Sequence, residues 1–214
     1  AKPEEKGRAV GIVMSGLLVG ILLARTFAGF ISTFGGWRMV YVVAAVLMAV
    51  STIALAYRLP SYPPSAKMAY SKLIGSIFEL MATQPVLRLR SAMGFLVFAV
   101  FAVFWTPLSY MLAGNFNYSD VVIGLFGLAG AVGALVAPMA GKLADKGKSS
   151  SITAYGLAAI LVSWLALYYG QFSIPALLVG IVLVDVAIQM VHLINLNEVY
   201  KLKPEARNRL NAGY

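Results

Sequence analysis

Residues 174–197 read IPALLVGIVLVDVAIQMVHLINLN. A helix that crosses a bilayer needs about 20 mainly apolar residues, and this stretch supplies them with one acid and one imidazole inside it. The run is long, continuous and rich in Leu, Val and Ile. A membrane barrel strand would be about 10 residues long and alternating, so the stretch is read as a spanning helix. Helical periodicity places Asp185, Gln189 and His192 at i, i+4 and i+7, on one face.

Five more stretches have the same character: 10–33, 39–57, 92–114, 121–141 and 152–170. Composition agrees. The chain is 60% hydrophobic and 12% charged, with a mean hydropathy of +0.83, whereas a soluble domain carries about 25% charged residues. The fold class read from this is an all-α integral membrane protein with six transmembrane helices. Gly35-Gly36 breaks the first pair, residues 115–120 form a polar turn, and Gly170-Gln171 closes the fifth span before Pro175 opens the sixth. The long connector 58–91 holds Pro60, Pro63, Pro64 and Pro85. Within it Leu73, Ile74, Ile77, Phe78 and Met81 recur at helical spacing, which predicts a short interfacial helix over 67–82.

The net charge of +9 lies in segments between the apolar runs, so it points to a membrane and not to nucleic acid. All but two of the 17 basic residues fall on one side of the predicted topology. The exceptions are Arg38 and Arg25, the latter within a span. The excess of Lys and Arg marks the cytoplasmic side, which puts both ends of this chain in the cytoplasm. With no cysteine and one histidine, a thiolate or multi-histidine metal site is excluded. There is no phosphate-binding G-x-x-x-x-G-K-[ST] loop, and no cofactor is expected.

Ionisable groups inside a bilayer are expensive and are functional candidates by default. Arg25, Asp185 and His192 are those within the spans. Arg25 lies beside a stripe of small residues at spacing four (Gly16, Gly20, Ala24, Ala28, Ser32) that lets another helix approach closely. It either serves an anionic substrate group or an acid that changes protonation, or it forms a fixed buried ion pair. Asp185 and His192 are two turns apart, about 10 Å, with Gln189 between them. They either line a water-filled pathway and carry protons or hold helices together. Pro107 is a place for a kink, and Trp105 and Tyr110 are read mainly as packing and interfacial aromatics. The glycines at 124, 127, 130 and 133 imply close packing.

The opening Lys2-Pro3-Glu4-Glu5-Lys6-Gly7-Arg8 echoes the closing Lys203-Pro204-Glu205-Ala206-Arg207-Asn208-Arg209, 201 positions on. Either two basic loops coincide, or the chain runs between equivalent points of two parallel six-helix halves. In the second case further sequence is expected on both sides. The opening motif leads into a Gly-rich helix and Gly36-Trp37-Arg38, Gly141-Lys-Leu-Ala-Asp145-Lys146 follows the fourth span, and the P-E-A-R-N-R-L-N motif closes the chain. Together these resemble the major facilitator superfamily, and the resemblance covers nearly the whole chain.

The resemblance implies helices 5–10 of a twelve-helix, two-bundle transporter. Residues 1–57 would end the first bundle, 58–91 would form a cytoplasmic linker, and 92–214 would begin the second bundle. It further implies a secondary active transporter that moves a small molecule by alternating access. The branch it resembles is that of bacterial proton-coupled drug and sugar efflux proteins. The implied partners are the lipid bilayer of the inner membrane, a small-molecule substrate, protons and the remaining helices. Gly141, Asp145 and Lys146 would form a cytoplasmic gate, although Asp145 also reads as a solvated loop charge. The sequence departs from the antiporter signature: among Gly11, Gly20, Ala24, Arg25, Ala28 and Gly29, the pair Ala24-Arg25 stands where Gly-Pro is usual. Gly147-Lys148-Ser149-Ser150 likewise replaces the usual basic tail of the second loop. The alternatives are an inactive, truncated transporter and, more weakly, an intramembrane enzyme.

Overall fold

The computed structural model describes residues 3–59, 69–130, 149–203 and 206–214, with side chains from residue 23 onward. Every element in these residues is a helix: α1 (Pro3–Arg58), α2 (Tyr70–Thr83), α3 (Pro85–Phe116), α4 (Asp120–Gly130), α5 (Ser149–Gly170), α6 (Ile174–Leu202) and α7 (Arg207–Gly213). The protein is thus an all-α membrane protein. Among the described residues four helices are long and apolar enough to cross a bilayer: Leu23–Arg58, Pro85–Phe116, Ser149–Gly170 and Ile174–Leu202. Asp120–Gly130 is apolar but shorter.

Five of the six expected spans fall on α1 before Gly35, α1 after Gly36, α3, α5 and α6. The remaining one, 121–141, begins as α4. Its residues beyond Gly130, with Gly133, Ala134 and Pro138, lie outside the described residues, as does the expected gate loop of Gly141, Asp145 and Lys146.

Two turns divide the helices where the sequence indicated. Within α1 the helix is interrupted at Gly35 and Gly36. Gly36 has φ 64° and ψ −166°, a region nearly closed to residues with a Cβ. Asn117, at φ 54°, closes α3 in the left-handed conformation, which asparagine tolerates better than most residues. Successive helices therefore reverse direction, and Gly36, Asn117 and Gln171 all lie at one end of the bundle.

The core is built around α6. Ile181, Val184, Val191 and Ile194 are fully buried there. Alpha-five packs along α6 because small residues let the backbones approach: a Cβ on Gly180 would lie 2.6 Å from Leu167 Cδ2, and one on Gly156 would meet Val191 Cγ2 at 2.5 Å. In lipid such close packing replaces the hydrophobic drive that water supplies to soluble proteins. Between α1 and α4 the same device recurs. A Cβ on Gly124 would strike the Arg25 carbonyl oxygen at 2.7 Å, and one on Gly29 would strike the carbonyl of Asp120. Of the expected small-residue stripe of α1, Ser32 meets α4 at Asp120, with Gly29 packed beside it. Residues 37–58, the second half of α1, carry their apolar side chains exposed, with Met48 and Tyr41 each at 70%.

The connector helix forms at Tyr70–Thr83. Its Leu80 joins Leu87, Val199 and Leu210 in a second apolar cluster, while Ile77 and Met81 approach Gly213 of α7. Phe78, on the other side, stays open.

Candidate functional site

Arg25 lies ten residues before Gly35, Trp105 eleven before Phe116, and Asp185 eleven after Ile174. At 1.5 Å per residue each is about 15–17 Å from the same end of the bundle. That is the middle of a hydrocarbon layer about 30 Å thick. Three helices distant in sequence therefore bring an arginine, an indole and a carboxylate to one depth.

The indole is the centre of the arrangement. Trp105 Nε1 donates to Asp185 Oδ1 at 3.1 Å, and the Arg25 guanidinium lies 3.8 Å from the centre of the Trp105 ring. Arg25 and Asp185 thus meet through the ring. The one ion pair among the described residues is Lys201–Glu198, so the charges at mid-depth are not directly bridged. The glycines of α4 make room for this. A Cβ on Gly127 would strike Arg25 Cβ at 2.8 Å and Cδ at 2.9 Å. One on Gly130 would strike Asp185 Oδ2, and Trp105 Cζ2 at 2.7 Å. Gly127 and Gly130 of the glycine repeat, expected to serve packing, form the groove in which the arginine stem and the carboxylate lie.

The energies of the two charges differ. An arginine or aspartate at mid-bilayer costs about 2.5–3.5 kcal/mol on insertion scales. A hydrogen bond to a charged group returns about 1.5–3 kcal/mol, so the Trp105 bond goes far toward holding a charged Asp185. A cation–π contact returns about 0.5–2 kcal/mol. Among the described residues the Arg25 N–H groups make no hydrogen bond, and stacking alone leaves the guanidinium undercompensated.

Arg25 and Trp105 also line an open cavity of about 510 Å³ between α1, α3 and α4. Its walls include Trp37, Tyr41, Leu108 and Tyr110, and Asp120 stands on its lip. Ser32 Oγ donates to Asp120 Oδ2 at 2.9 Å, and Thr26 Oγ1 to the Gly124 carbonyl at 3.2 Å. The volume falls within the range of small-molecule sites, about 300–1,000 Å³.

The other predicted residues are arranged differently. His192 does share the α3-facing side of α6 with Asp185, but its ring packs edge-on against Phe98 at 5.1 Å, and Nδ1 lies 3.2 Å from the Tyr214 hydroxyl. Gln189 is half-buried and makes no side-chain hydrogen bond among the described residues, so it does not itself join Asp185 to His192. Trp105 packs in the core as expected, but at mid-depth and with a polar partner, away from an interfacial belt. The signal that would have found it is its N–H. A mid-span indole donor has no water to bond and needs an acceptor.

Toward the opposite end lies a second polar group that the sequence did not reveal. Arg90 donates to Asn195 Oδ1 at 3.0 Å and to Thr153 Oγ1 at 3.3 Å. Ser149 Oγ donates to Glu198, which also pairs with Lys201, both at 2.8 Å. Arg90 reads in sequence as one more basic residue flanking a span. Tyr214 packs so closely on α3 that a Cβ on Gly94 would lie 2.8 Å from its hydroxyl. Burial raises the Tyr214 phenol above its ordinary value, so it stays protonated at neutral pH.

Residues 1–213 match the family model described as Major Facilitator Superfamily. The putative uncharacterized transporter YgaY of Escherichia coli K12 is 50% identical over 215 residues, which cover 100% of this chain and 55% of that protein. A probable transporter of Streptomyces coelicolor is 33% identical over 201 residues, 91% of this chain and 46% of that protein. The chain thus spans about half the length of the curated relatives it matches. No solved structure matches it.

Proposed function

This chain belongs to the major facilitator superfamily, and we propose that it works as part of a proton-coupled secondary transporter that moves a small molecule by alternating access. The observation that carries the reading is the Arg25–Trp105–Asp185 arrangement at mid-depth beside an open cavity. Transporter sites lie near the midplane where helices of different segments meet. A carboxylate held there by one indole donor is suited to gain and lose a proton as the cavity changes sides. Asp185 is the proton carrier in this reading, Arg25 the substrate or counter-charge group, and Trp105 the positioning residue between them. His192 and Tyr214 belong to the route toward the cytoplasm. Gln189 stands between the two groups and is available to a water.

The exposed face of residues 37–58 meets lipid and the remaining helices of the transporter. The basic asymmetry of the loops supports an inner-membrane, multi-pass topology with residues 1 and 214 on the cytoplasmic side. Asp145 would gate that side. Resemblance to the efflux branch is the one support for exchange with protons; the charges of the site favour instead the carriage of proton and substrate in the same direction.

The test is substrate-dependent proton movement. Proteoliposomes holding the full-length transporter and a pH dye are screened with organic acids, amines and sugars. At least one compound is expected to drive proton flux in the wild type and none in Asp185→Asn. Uptake of a labelled compound with no accompanying proton movement would refute proton coupling.

A further inference from the structure

The geometry points to an organic anion with a flat apolar body, such as an aromatic carboxylate or sulfonate, as the ligand of the Arg25 cavity, bound together with a proton on Asp185. This rests on the transporter reading of the same site and adds to it the substrate's charge and the sign of its coupling to protons.

Among the described residues that line the cavity, the cation is Arg25, at the deep end. Arg25 presents a guanidinium whose face is taken by Trp105 and whose N–H groups make no hydrogen bond among the described residues. A guanidinium fork matches the oxygens of a carboxylate or sulfonate. Around it stand Trp37, Tyr41, Tyr110 and Leu108, walls that suit an apolar ring; Arg38 stacks on Trp37, 4.5 Å from the ring centre, and is not among the described residues that line the cavity. Asp120 is the acid of the lip. It is exposed, bonded by Ser32, and lies at the first residue of α4, so it does not reach the deep end.

The sign of coupling follows from charge. Asp185 is 8% exposed and lies behind the indole, outside the cavity wall. While it is ionised, Arg25 and Asp185 together are neutral, and an anion entering beside Arg25 meets a second negative charge across the ring. When Asp185 takes a proton, the pair carries +1 and the anion is drawn in. Proton and anion therefore favour each other, and by linkage each raises the other's affinity by the same factor. An amine would compete with the proton instead. Mutual support is the requirement for carrying both in one direction.

The other groups around Asp185 do not reverse this sign. From α1 it faces Arg25. On α3 the ionisable groups are Arg88 and Arg90, fifteen or more residues from Trp105, and Tyr110 at the cavity wall. The tyrosines of α5, at 155, 168 and 169, are exposed. Asp120 is the titratable residue of α4. On α6 itself His192 lies two turns away, against Phe98 and Tyr214.

The probes are benzenesulfonate, which stays anionic across the working range, benzenesulfonamide as its neutral counterpart, and benzamidine as a cation. Binding to the full-length protein in nanodiscs is measured by calorimetry at about pH 5.5 and pH 8. Benzenesulfonate is expected to bind roughly tenfold more tightly at the lower pH, within the usual span of site-to-site coupling, and to take up protons from a weak buffer. The sulfonamide is expected to bind weakly at both. Arg25→Gln should lose sulfonate binding, and Asp185→Asn should bind at pH 8 as the wild type does at pH 5.5, with a flat pH profile. The wild-type pH dependence and proton uptake decide the matter even where a variant does not fold. Benzamidine binding that weakens as pH falls and depends on Asp185 would overturn the anion assignment while leaving the transporter site standing. If no probe binds, or binding ignores both Arg25 and Asp185, the anion inference and the site reading fall together.

Discussion

Arg25 and Arg90 both pack against neighbouring helices, and they are treated in opposite ways. Arg90 is committed: one of its nitrogens reaches both Asn195 Oδ1 and Thr153 Oγ1, tying α3 to α5 and α6. Arg25 is stacked on Trp105 and has its N–H groups uncommitted among the described residues. Asn195 is fully buried, so its carbonyl needs the Arg90 donor. The cavity beside Arg25 is open, so that arginine is reachable. A cation whose donors are spent on the protein holds helices together; one whose donors are free beside a cavity can hold a ligand. That a charge lies on a spanning helix does not by itself give its role; the fate of its hydrogen bonds does.

The comparison can be broken most easily at Arg25. Arg25→Ala is expected to remove substrate-driven flux almost completely, and Arg25→Lys to reduce it severely while leaving the yield of folded protein unchanged, because an ammonium lacks the planar fork and stacks poorly. Normal flux in either variant would make Arg25 a structural residue like Arg90.

Arg90→Ala should act on stability instead. It orphans the buried Asn195 oxygen, at about 1–3 kcal/mol, and lowers the melting temperature in detergent. The pH profile of the remaining flux should keep its shape. A shifted profile with unchanged melting would place Arg90 in the proton route.

Gly130→Ala sharpens the picture of the groove. Its Cβ would press on Asp185 and Trp105, an overpacking of about 1–3 kcal/mol that also displaces the coupling acid. Gly114→Ala, where the added methyl meets open space, should stay within about 0.5 kcal/mol by thermal unfolding. Equal effects of the two would show that the α4 groove is looser than the structure has it.

The smallest effect is expected at His192. His192→Ala removes a partner of Tyr214 and should move the pH dependence of flux slightly at nearly constant maximal rate. A flux as low as that of Arg25→Ala would put the histidine in the central relay.

What the sequence disclosed follows the range of the physics involved. Gly35-Gly36 and residues 115–120 are local signals, and both turns form where they were read. The face shared by Asp185 and His192 follows from helical period alone. The partners on that face do not. Trp105 and Asp185 are 80 positions apart, and nothing within α3 marks its indole as the acceptor-seeking one except depth. Arg90 looked like a flanking charge because its partners lie on two other helices. Tyr214 reaches Gly94 through a contact that no periodic pattern carries.

The central claim is that Asp185 links the proton to substrate movement at a site held by Arg25 and Trp105. Asp185→Asn keeps size and hydrogen bonding but cannot titrate, so the most direct measurement compares its two modes in proteoliposomes. The account predicts that the variant still exchanges labelled for unlabelled substrate when substrate is present on both sides, and no longer accumulates substrate when a proton gradient is imposed. Accumulation at the wild-type rate, with the wild-type pH dependence, would contradict it and leave Asp185 as a residue that joins helices.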